Sequence, residues 1–301
     1  MNAVETHGLA RTFGTLDAVR GLNLQVPEGS IFALMGPNGA GKTTTIKMLM
    51  NLIQSTSGGA TVLGTDSRLL GVTQWQRIGY VSENQELPEW MTPAELVAYY
   101  RPFYPRWDDG LCRTLQDALG LTAAGPLKSL SRGTRMKAAL LASLAFSPDL
   151  VVLDEPFSGL DPLVRDELVR ALLEMPGQRP WTVLVSSHDV DEVERLADWI
   201  GFMNHGRLTL AEPLESLLNR YSLIEVVAER EAAPELPVVA GWEPHGTAGR
   251  TLRFVDTGHD QPDAEHRVSA AFPGASIRCS RMSLRDIFLS LARGSAREEQ
   301  R

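Results

Sequence analysis

The segment GPNGAGKT, residues 36–43, constrains the fold of this chain more strongly than any other stretch. It follows the apolar run SIFALM, which indicates a short buried strand, and it precedes the helical stretch TTIKMLMNLI. A strand, a glycine-rich turn and a helix in this order form the phosphate-binding pattern G-x-x-x-x-G-K-[ST]. The glycines let successive backbone N–H groups point inward, and the helix N-terminus adds its positive dipole. A phosphate group is therefore the expected ligand.

Individual residues of this segment have distinct expected roles. Lys42 reaches the outer phosphates as a point charge, Thr43 offers its hydroxyl group to Mg²⁺, and Thr44 supports a phosphate. The predicted phosphate-binding set is Gly36, Pro37, Asn38, Gly39, Ala40, Gly41, Lys42, Thr43 and Thr44.

Two further segments place acids and a histidine after apolar strands. In LVVLDEP, Asp154 is expected beside the phosphate loop, where it holds Mg²⁺, largely through water. Because successive strand residues alternate faces, Glu155 is expected to point the other way and to polarise an attacking water. In VSSHD, His188 is expected to hydrogen-bond the terminal phosphate, with a purely structural role as the alternative.

A second anion site is indicated by the segment SLSRGTRMKAALLASLAF. Ser131 is expected to cap a helix whose first turn holds Gly133, and Arg132, Arg135 and Lys137 crowd this positive end. The segment contains no Asp or Glu that would balance them. Because the phosphate loop provides its own anion site, this helix start is predicted to serve a second nucleotide.

The composition limits the class of protein. The chain has 301 residues, 43% hydrophobic and 22% charged, which is typical of globular domains. No run approaches the ~18 to 20 apolar residues of a membrane span, and the start MNAVETHGLARTFG lacks the apolar core of a signal peptide, so we expect a cytosolic chain. A net charge of −8 argues weakly against nucleic-acid binding. Cys112 and Cys279 fit no metal-ligand pattern.

The order of apolar runs and helices predicts an α/β fold. Short strands in the first thirty residues form an antiparallel β subdomain, and buried strands alternating with helices form a parallel sheet covered on both faces. The predicted architecture is a P-loop NTPase core in residues 1–219, with a helical subdomain at about 88–147 that carries the second anion site. Residues 220–301 are predicted to form a small α+β domain with a frayed tail after residue 294.

Together these motifs resemble the ATP-binding subunit of an ABC transporter over about residues 3–219. They occur in the family's order: an aromatic residue that stacks on adenine, Walker A, the Q-loop, the signature, Walker B, the D-loop and the switch histidine. The matching residues are Phe13, Gly36–Thr44, Glu83, Leu130–Thr134, Asp154 with Glu155, Ser158–Asp161 and His188.

The resemblance implies ATP and Mg²⁺ as cofactors. It also implies a head-to-tail dimer with a second ATP-binding subunit, in which Ser131 and Gly133 face the terminal phosphate of the ATP held by the partner. Asp161 joins the nucleotide-binding set. A separate transmembrane permease, a place on the cytoplasmic face of the cell membrane and no nucleic-acid partner follow from the same resemblance.

Two motifs depart from the family pattern. In the signature, Arg132 and Thr134 stand where the commonest form has Gly and Gln. At the Q-loop, Glu83 replaces the usual Gln, and a carboxylate also ligates Mg²⁺. The predicted metal ligands are therefore Thr43, Glu83 and Asp154.

The stretch ENQELPEWMTPAELVAYYRPFYPRWDD resembles a bacterial branch paired with export-type permeases and often encoded near GntR-type regulators. Its six aromatic side chains either line a groove for a permease helix or form the core of the helical subdomain, and the sequence favours neither. The leading function is ATP hydrolysis coupled to export.

Two other functions compete with export. The first is a soluble ABC-type ATPase acting on nucleic acid or ribosomes, which the short spacing from Lys42 to Ser131 without a heptad run disfavours. The second is a non-hydrolysing regulatory subunit, which an intact Glu155 and His188 disfavour.

Overall fold

The structure is a computed structural model that describes residues 1–173, 181–229, 233–260 and 263–298, the last six without their side chains. The chain divides into two compact units, Met1–Ala211 and Glu212–Arg301, and each is described by itself. The sequence predicted the boundary near residue 220, where the composition changes. The boundary between the two units lies earlier, before the short helix Leu214–Arg220.

The first unit combines two sheets with seven described helices. Its strands are β1 Asn2–Phe13, β2 Leu16–Leu22, β3 Gln25–Pro27, β4 Ile31–Met35, β5 Ser57–Val62, β6 Thr65–Asp66, β7 Ile78–Ser82, β8 Leu150–Asp154, β9 Thr182–Ser187, β10 Trp199–Asn204 and β11 Arg207–Pro213. Its helices are α1 Lys42–Leu49, α2 Val72–Trp75, α3 Pro93–Tyr100, α4 Asp109–Ala118, α5 Arg132–Leu144, α6 Pro162–Leu173 and α7 Val190–Leu196. The pattern that predicted α6 extends to Met175, and residues 174 and 175 lie outside the described part.

The central sheet brings the carboxyl ends of its strands to one edge. Its strand order is β11-β10-β4-β9-β8-β7, and every pair from β10 to β7 is parallel. All residues of β8 and β9 are buried, as expected for a parallel sheet covered on both faces. The segments after β4, β7, β8 and β9 therefore meet at this edge, where the phosphate loop and the predicted acids lie.

Three strands of this sheet, β7, β10 and β11, were not anticipated from the sequence. β7 and β10 are short runs interrupted by a glycine, which weakens a strand prediction. An added Cβ on Gly79 would lie 2.5 Å from the carbonyl oxygen of Ser143 in α5, and one on Gly201 would lie 2.9 Å from the ring of Phe32. The two glycines therefore permit close packing against the sheet.

The second sheet of this unit is antiparallel, as predicted for the first thirty residues. Its order is β2-β1-β5-β6, with β3 also pairing with β1. Phe13 ends β1, next to the turn into β2.

The helices of the predicted helical subdomain begin at capping residues. Thr92 and Glu95 form a reciprocal capping box at the start of α3, with Pro93 in the first turn. Asp108 caps α4, and the hydroxyl oxygen of Ser131 accepts the backbone N–H of Thr134 at 3.1 Å to cap α5. These capping residues begin helices that the sequence pattern indicated.

The six aromatic side chains of the export-like stretch divide between core and surface. Tyr104 stacks on the fully buried Phe146 with 3.8 Å between ring centroids, so it belongs to the core. By contrast, Trp90, Tyr99 and Phe103 are exposed. The core interpretation therefore holds for Tyr104, whereas a groove for a permease helix stays a prediction.

The second unit is a small α+β domain, and the predicted fold class is confirmed. Its elements are α8 Leu214–Arg220, β12 Ser222–Val227, β13 Trp242–Ala248, β14 Thr251–Asp256, α9 Ala264–Ala271, β15 Ser276–Arg281 and α10 Leu284–Glu298. The four strands form an antiparallel sheet in the order β13-β14-β12-β15, and Val268 and Phe272 pack on its apolar face.

Two details of this unit differ from the sequence prediction. The strand β13 lies in a Pro- and Gly-rich segment that indicated a loop; pairing with β14 orders it despite that composition. The helix α10 continues to Glu298, past the predicted start of the frayed tail, and residues 299–301 lie outside the described part.

The close approach at Gly79 yields a stability prediction. Gly79→Ala should lower the free energy of unfolding of the first unit by about 1 to 3 kcal/mol, because the added Cβ meets α5 backbone that cannot rotate away. Gly59→Ala is the matched control, since Gly59 also lies in a strand but has no atom within 4 Å of its added Cβ. Thermal unfolding of the two variants checks this; equal melting temperatures would contradict it.

Candidate active site

A cavity of about 610 Å³ gathers most of the predicted site residues. Its lining includes Phe13, the loop and helix start from Asn38 to Thr44, Glu83, Glu155 and His188. The segments come from β1, from the turn after β4 and from the ends of β7, β8 and β9. The predicted site residues that do not belong to this lining are Gly36, Pro37, Ser131, Gly133, Asp154 and Asp161.

The phosphate loop curls tightly in front of α1. Gly41 has a φ of +102°, and an added Cβ would lie 2.4 Å from the carbonyl oxygen of Ala18, so only glycine fits there. The ammonium group of Lys42 donates to the carbonyl oxygens of Gly36 at 2.7 Å and Pro37 at 3.3 Å. With 5% of its side chain exposed, Lys42 is a cation held inside the loop.

Asp154 ties the strand β8 to the phosphate loop. Its Oδ1 accepts the Thr43 hydroxyl at 2.9 Å and the Ser186 hydroxyl at 2.8 Å, and the residue is 3% exposed. Burial raises the pKa of the Asp154 carboxyl, against the lowering effect of the two hydroxyl donors. Sequence reasoning missed Ser186, although it lies two residues before His188 in the quoted segment VSSHD.

Glu155 departs from the direction predicted for it. The strand β8 ends at Asp154, and Glu155 has a φ of +51°, so the alternation of strand faces does not apply to it. Its Oε1 lies 3.0 Å from the ammonium nitrogen of Lys42, and its Oε2 accepts from Nδ1 of His188 at 2.8 Å. Both acids therefore turn to the start of α1, and the expectation that they point apart was wrong.

The left-handed backbone of Glu155 is held by its surroundings. This conformation costs of order 1 kcal/mol or more for a residue with a Cβ. The backbone N–H of Glu155 donates to the Ser186 hydroxyl at 2.9 Å, which fixes the turn from the β9 side. Together with Lys42 and His188, this bond stabilises the strained residue at the mouth of the cavity.

The oxygen atoms near Thr43 suit Mg²⁺ in chemistry and number. The described residues contain no cluster of three or more His, Cys, Asp or Glu that could hold a metal ion. Mg²⁺ usually takes one or two carboxylates and completes its shell with substrate phosphates and water. A hydroxyl and a carboxylate beside a phosphate loop, with Glu83 in the same cavity, fit that pattern.

Glu83 lies at the end of β7 and has partners that the sequence did not reveal. Its backbone N–H donates to the carbonyl oxygen of Asp154 at 2.9 Å. Its Oε1 accepts from the Arg132 guanidinium at 2.9 Å and from the Ser158 hydroxyl at 2.9 Å. The Arg132 guanidinium lowers the pKa of the Glu83 carboxyl. No sequence pattern indicates this pairing, because the partners come from distant segments.

The cations at the start of α5 are partly neutralised. Arg132 pairs with Glu83, and Lys137 forms an ion pair with Glu167 of α6. The predicted local imbalance of charge is therefore smaller than the segment alone suggested.

Gly133 and Asp161 lie where α5 meets α6. An added Cβ on Gly133 would lie 2.9 Å from a methyl carbon of Val164. Asp161 accepts the backbone N–H of Val164 at 3.1 Å in the first turn of α6. Both residues therefore have a structural role in addition to the predicted nucleotide contact.

Phe13 borders the same cavity. It is 44% exposed, and the Arg11 guanidinium carbon lies 4.4 Å from the centroid of its ring. An exposed aromatic face beside a phosphate loop suits stacking of a flat heterocycle.

Comparison with known proteins decides the family. Residues 19–158 match the family model described as ABC transporter. The chain is 33% identical to the daunorubicin/doxorubicin resistance ATP-binding protein DrrA of Streptomyces peucetius, over 96% of this chain and 92% of DrrA. This chain belongs to the ABC transporter family as an ATP-binding subunit. It is accordingly an ABC-type ATPase, as the motifs predicted.

Other members of the ABC transporter family match a smaller share of this chain. The lantibiotic transport ATP-binding protein SrtF of Streptococcus pyogenes is 32% identical over 74% of this chain and 98% of SrtF. The osmoprotectant import ATP-binding protein OsmV of Salmonella typhimurium is 34% identical over 67% of this chain and 55% of OsmV.

Solved structures show the same fold. The dimeric post-hydrolysis structure of the ATP-binding cassette MJ0796, bound to ADP and Pi, superposes with a TM-score of 0.63 at 21% identity. It covers 70% of this chain and 98% of that cassette. None of the described helices of this ABC transporter subunit has the length and apolar character needed to cross a membrane.

A second groove of the first unit lies beside Glu83. Its lining differs from that of the aromatic groove that the sequence analysis gave as one of two interpretations. Its volume is about 510 Å³. Its lining is Ser82, Glu83, Asn84, Gln85, Glu86, Leu87, Glu89, Leu127, Arg132, Arg135, Met136 and Ala139, with no aromatic side chain.

A carboxyl group that contacts Ser187, the neighbour of His188 in the chain, has an unusual environment. Glu192 of α7 accepts the Ser187 hydroxyl at 2.9 Å and pairs with Arg165 of α6 at 3.1 Å. The same guanidinium contacts Asp189 at 3.0 Å. Burial raises the pKa of Glu192 to about 7, and the neighbouring Asp189 adds to that effect.

The raised pKa of Glu192 predicts a pH-dependent stability. The folded state binds a proton at Glu192 that the unfolded state has released, so this group's stabilisation falls as pH rises from about 4.5 to 7. Glu192→Gln should therefore be more stable than wild type by about 1 to 3 kcal/mol at pH 8, and nearly equal to it at pH 5. Thermal unfolding at both pH values checks this, and an equal difference at the two would contradict it.

Proposed function

We propose that this ATP-binding subunit couples ATP hydrolysis to export through a separate membrane permease. The observation that carries the catalytic part is the contact of Lys42 and His188 with the two carboxylate oxygens of Glu155, inside the cavity that holds the phosphate loop. This contact places a base, a phosphate-binding cation and a hydrogen-bond donor together.

The chemistry that we propose is in-line attack of water on the terminal phosphate of ATP. Lys42 exchanges the Glu155 carboxylate for phosphate oxygens. Glu155 then accepts a proton from the attacking water as the bond to the leaving phosphate oxygen breaks. His188 holds the carboxylate in orientation and hydrogen-bonds the terminal phosphate. Phe13 stacks on adenine.

Mg²⁺ would be held by Thr43 and Asp154, with Glu83 as the third predicted ligand. When bound, it neutralises negative charge on the phosphates. Asn38, Gly39, Ala40, Gly41 and Thr44 line the cavity with backbone and hydroxyl groups that suit phosphate oxygens.

A second subunit completes the site in this proposal. Ser131, Gly133 and Asp161 lie outside the lining of their own cavity. They also lie outside the phosphate loop, whereas Asp154, which is likewise not in the lining, hydrogen-bonds Thr43 of that loop. We therefore assign the three residues to the nucleotide of a head-to-tail partner. The cassette MJ0796, which has this fold, forms a dimer.

The proposal of export rests on a relative whose match covers more of the chain than the first unit alone. DrrA, named for drug resistance, matches nearly the whole chain, whereas the import protein OsmV matches only about two thirds of it. Resistance to a toxic compound fits outward transport. The assignment to the bacterial branch that is often encoded near GntR-type regulators stays a prediction. It rests on the stretch that begins at Glu83.

A permease partner places the subunit at the cytoplasmic face of the cell membrane. The exposed side chains of Trp90, Tyr99 and Phe103 provide apolar surface for such a partner. The net charge of −8 disfavours the alternative of an ATPase acting on nucleic acid or ribosomes. Purification from membranes tests this: a multi-span permease should accompany the chain, and ribosomes or DNA in its place would overturn the proposal.

Two substitutions separate the contribution of one chain from that of its partner. Lys42→Ala should weaken ATP binding by the isolated chain about 10- to 100-fold, because it removes the charged phosphate contact. Ser131→Arg should leave that binding largely unchanged but abolish ATP-dependent dimerisation and hydrolysis. Calorimetry and sedimentation measure both effects. If Ser131→Arg removes ATP binding by the monomer, α5 serves its own site and the composite site is wrong.

A further inference from the structure

The guanidinium of Arg132 connects three loops of the first unit. It lies at the start of α5 and pairs with Glu83, which follows β7, at 2.9 Å. It also packs over Gly159 in the segment after β8, where an added Cβ would lie 2.8 Å from its NH1 atom. Gly159 has a φ of +67°, so the turn that admits the guanidinium also requires glycine.

A single carboxylate oxygen of Glu83 holds this connection together. Its Oε1 accepts both from Arg132 and from the Ser158 hydroxyl, each at 2.9 Å. The signature, the Q-loop and the D-loop therefore share one small network. Arg132 and Glu83 are the two charged departures from the family's commonest form, and they contact each other.

The position of Glu83 gives its side chain a second possible partner. Its backbone N–H is anchored to the carbonyl oxygen of Asp154 at 2.9 Å, and its side chain lines the same cavity as Thr43. The Thr43 hydroxyl and the Asp154 carboxylate are the oxygen groups that suit Mg²⁺. The backbone of Glu83 therefore lies fixed beside that site while its carboxylate faces Arg132.

We propose that Arg132 is a positioning residue that competes with nucleotide-bound Mg²⁺ for the Glu83 carboxylate. The inference rests on the proposed function, which makes Glu83 a magnesium ligand. Without nucleotide, Arg132 holds Glu83 and is neutralised by it. When Glu83 turns to the ion, Arg132 becomes an unpaired cation at the positive end of α5, beside Ser131, and adds to the attraction of that helix start for a phosphate of the partner.

The exposure of the pair suits a reversible contact. The side chain of Arg132 is 41% exposed and that of Glu83 is 33% exposed. A partly exposed ion pair shifts an equilibrium by roughly fivefold or less, so a divalent cation can displace it. A fully buried pair would resist such an exchange, because breaking it leaves a charge without solvent.

The test measures metal affinity and needs no hydrolysis. The probe is Mn²⁺ as a substitute for Mg²⁺, added to the full chain saturated with ADP, with free Mn²⁺ followed by electron paramagnetic resonance. Arg132→Gln should tighten Mn²⁺ binding about three- to fivefold, because Glu83 is released. Arg132→Lys keeps the charge and should stay near wild type.

Two further variants exclude a general effect of charge. Arg135→Gln removes a cation from the same helix, one turn on, without a contact to Glu83, and should leave Mn²⁺ affinity near the wild-type value. In the Glu83→Gln background, Arg132→Gln should have no further effect, since the competing carboxylate is gone. Matching melting temperatures establish that the variants are folded.

The outcomes separate this inference from the proposed function. If Arg132→Gln leaves Mn²⁺ affinity unchanged, acts equally in the Glu83→Gln background, or matches Arg135→Gln, the competition does not exist. If instead the wild-type chain fails to bind ADP, or Lys42→Ala binds ADP as wild type does, the proposed nucleotide site itself is wrong.

Discussion

The ion pair between Lys42 and Glu155 governs the active site. The side chains are 5% and 12% exposed, so neither charge is well solvated, and an unpaired charge at such depth is costly. In the absence of phosphate, the carboxylate of Glu155 is the anion that neutralises Lys42. In the proposed mechanism, nucleotide binding exchanges one anion for another at Lys42, and the exchange frees the Glu155 carboxylate that we propose as the base.

Hydrogen bonds from neighbouring segments fix the residues around this ion pair. Asp154 is fixed by two hydroxyl donors from different segments, Thr43 and Ser186, and Ser186 also holds the backbone of Glu155. The strained φ of Glu155 turns its side chain to α1 at a cost that these bonds offset. The buried strands β8 and β9 fix the backbone at this edge of the sheet, from which these side chains project.

The sequence predicted the parts of the site that depend on local pattern. The phosphate loop, Asp154 and His188 follow from spacing and from their position after apolar strands. The orientation of Glu155 could not be predicted, because a left-handed residue ends the alternation of strand faces. Ser186, and the pairing of Glu83 with Arg132, depend on contacts between distant segments. The strand β13 was missed because tertiary pairing overrides a composition typical of loops.

The affinity for ATP without Mg²⁺ tests the exchange at Lys42 most directly, because no hydrolysis or metal ligation contributes. Equilibrium binding in the presence of a chelator should be about five- to tenfold tighter for Glu155→Gln than for wild type, since the competing carboxylate is removed. Glu83→Gln removes a carboxylate from the same cavity that does not contact Lys42, and its effect should be smaller. An affinity of Glu155→Gln equal to or weaker than that of wild type would contradict the account.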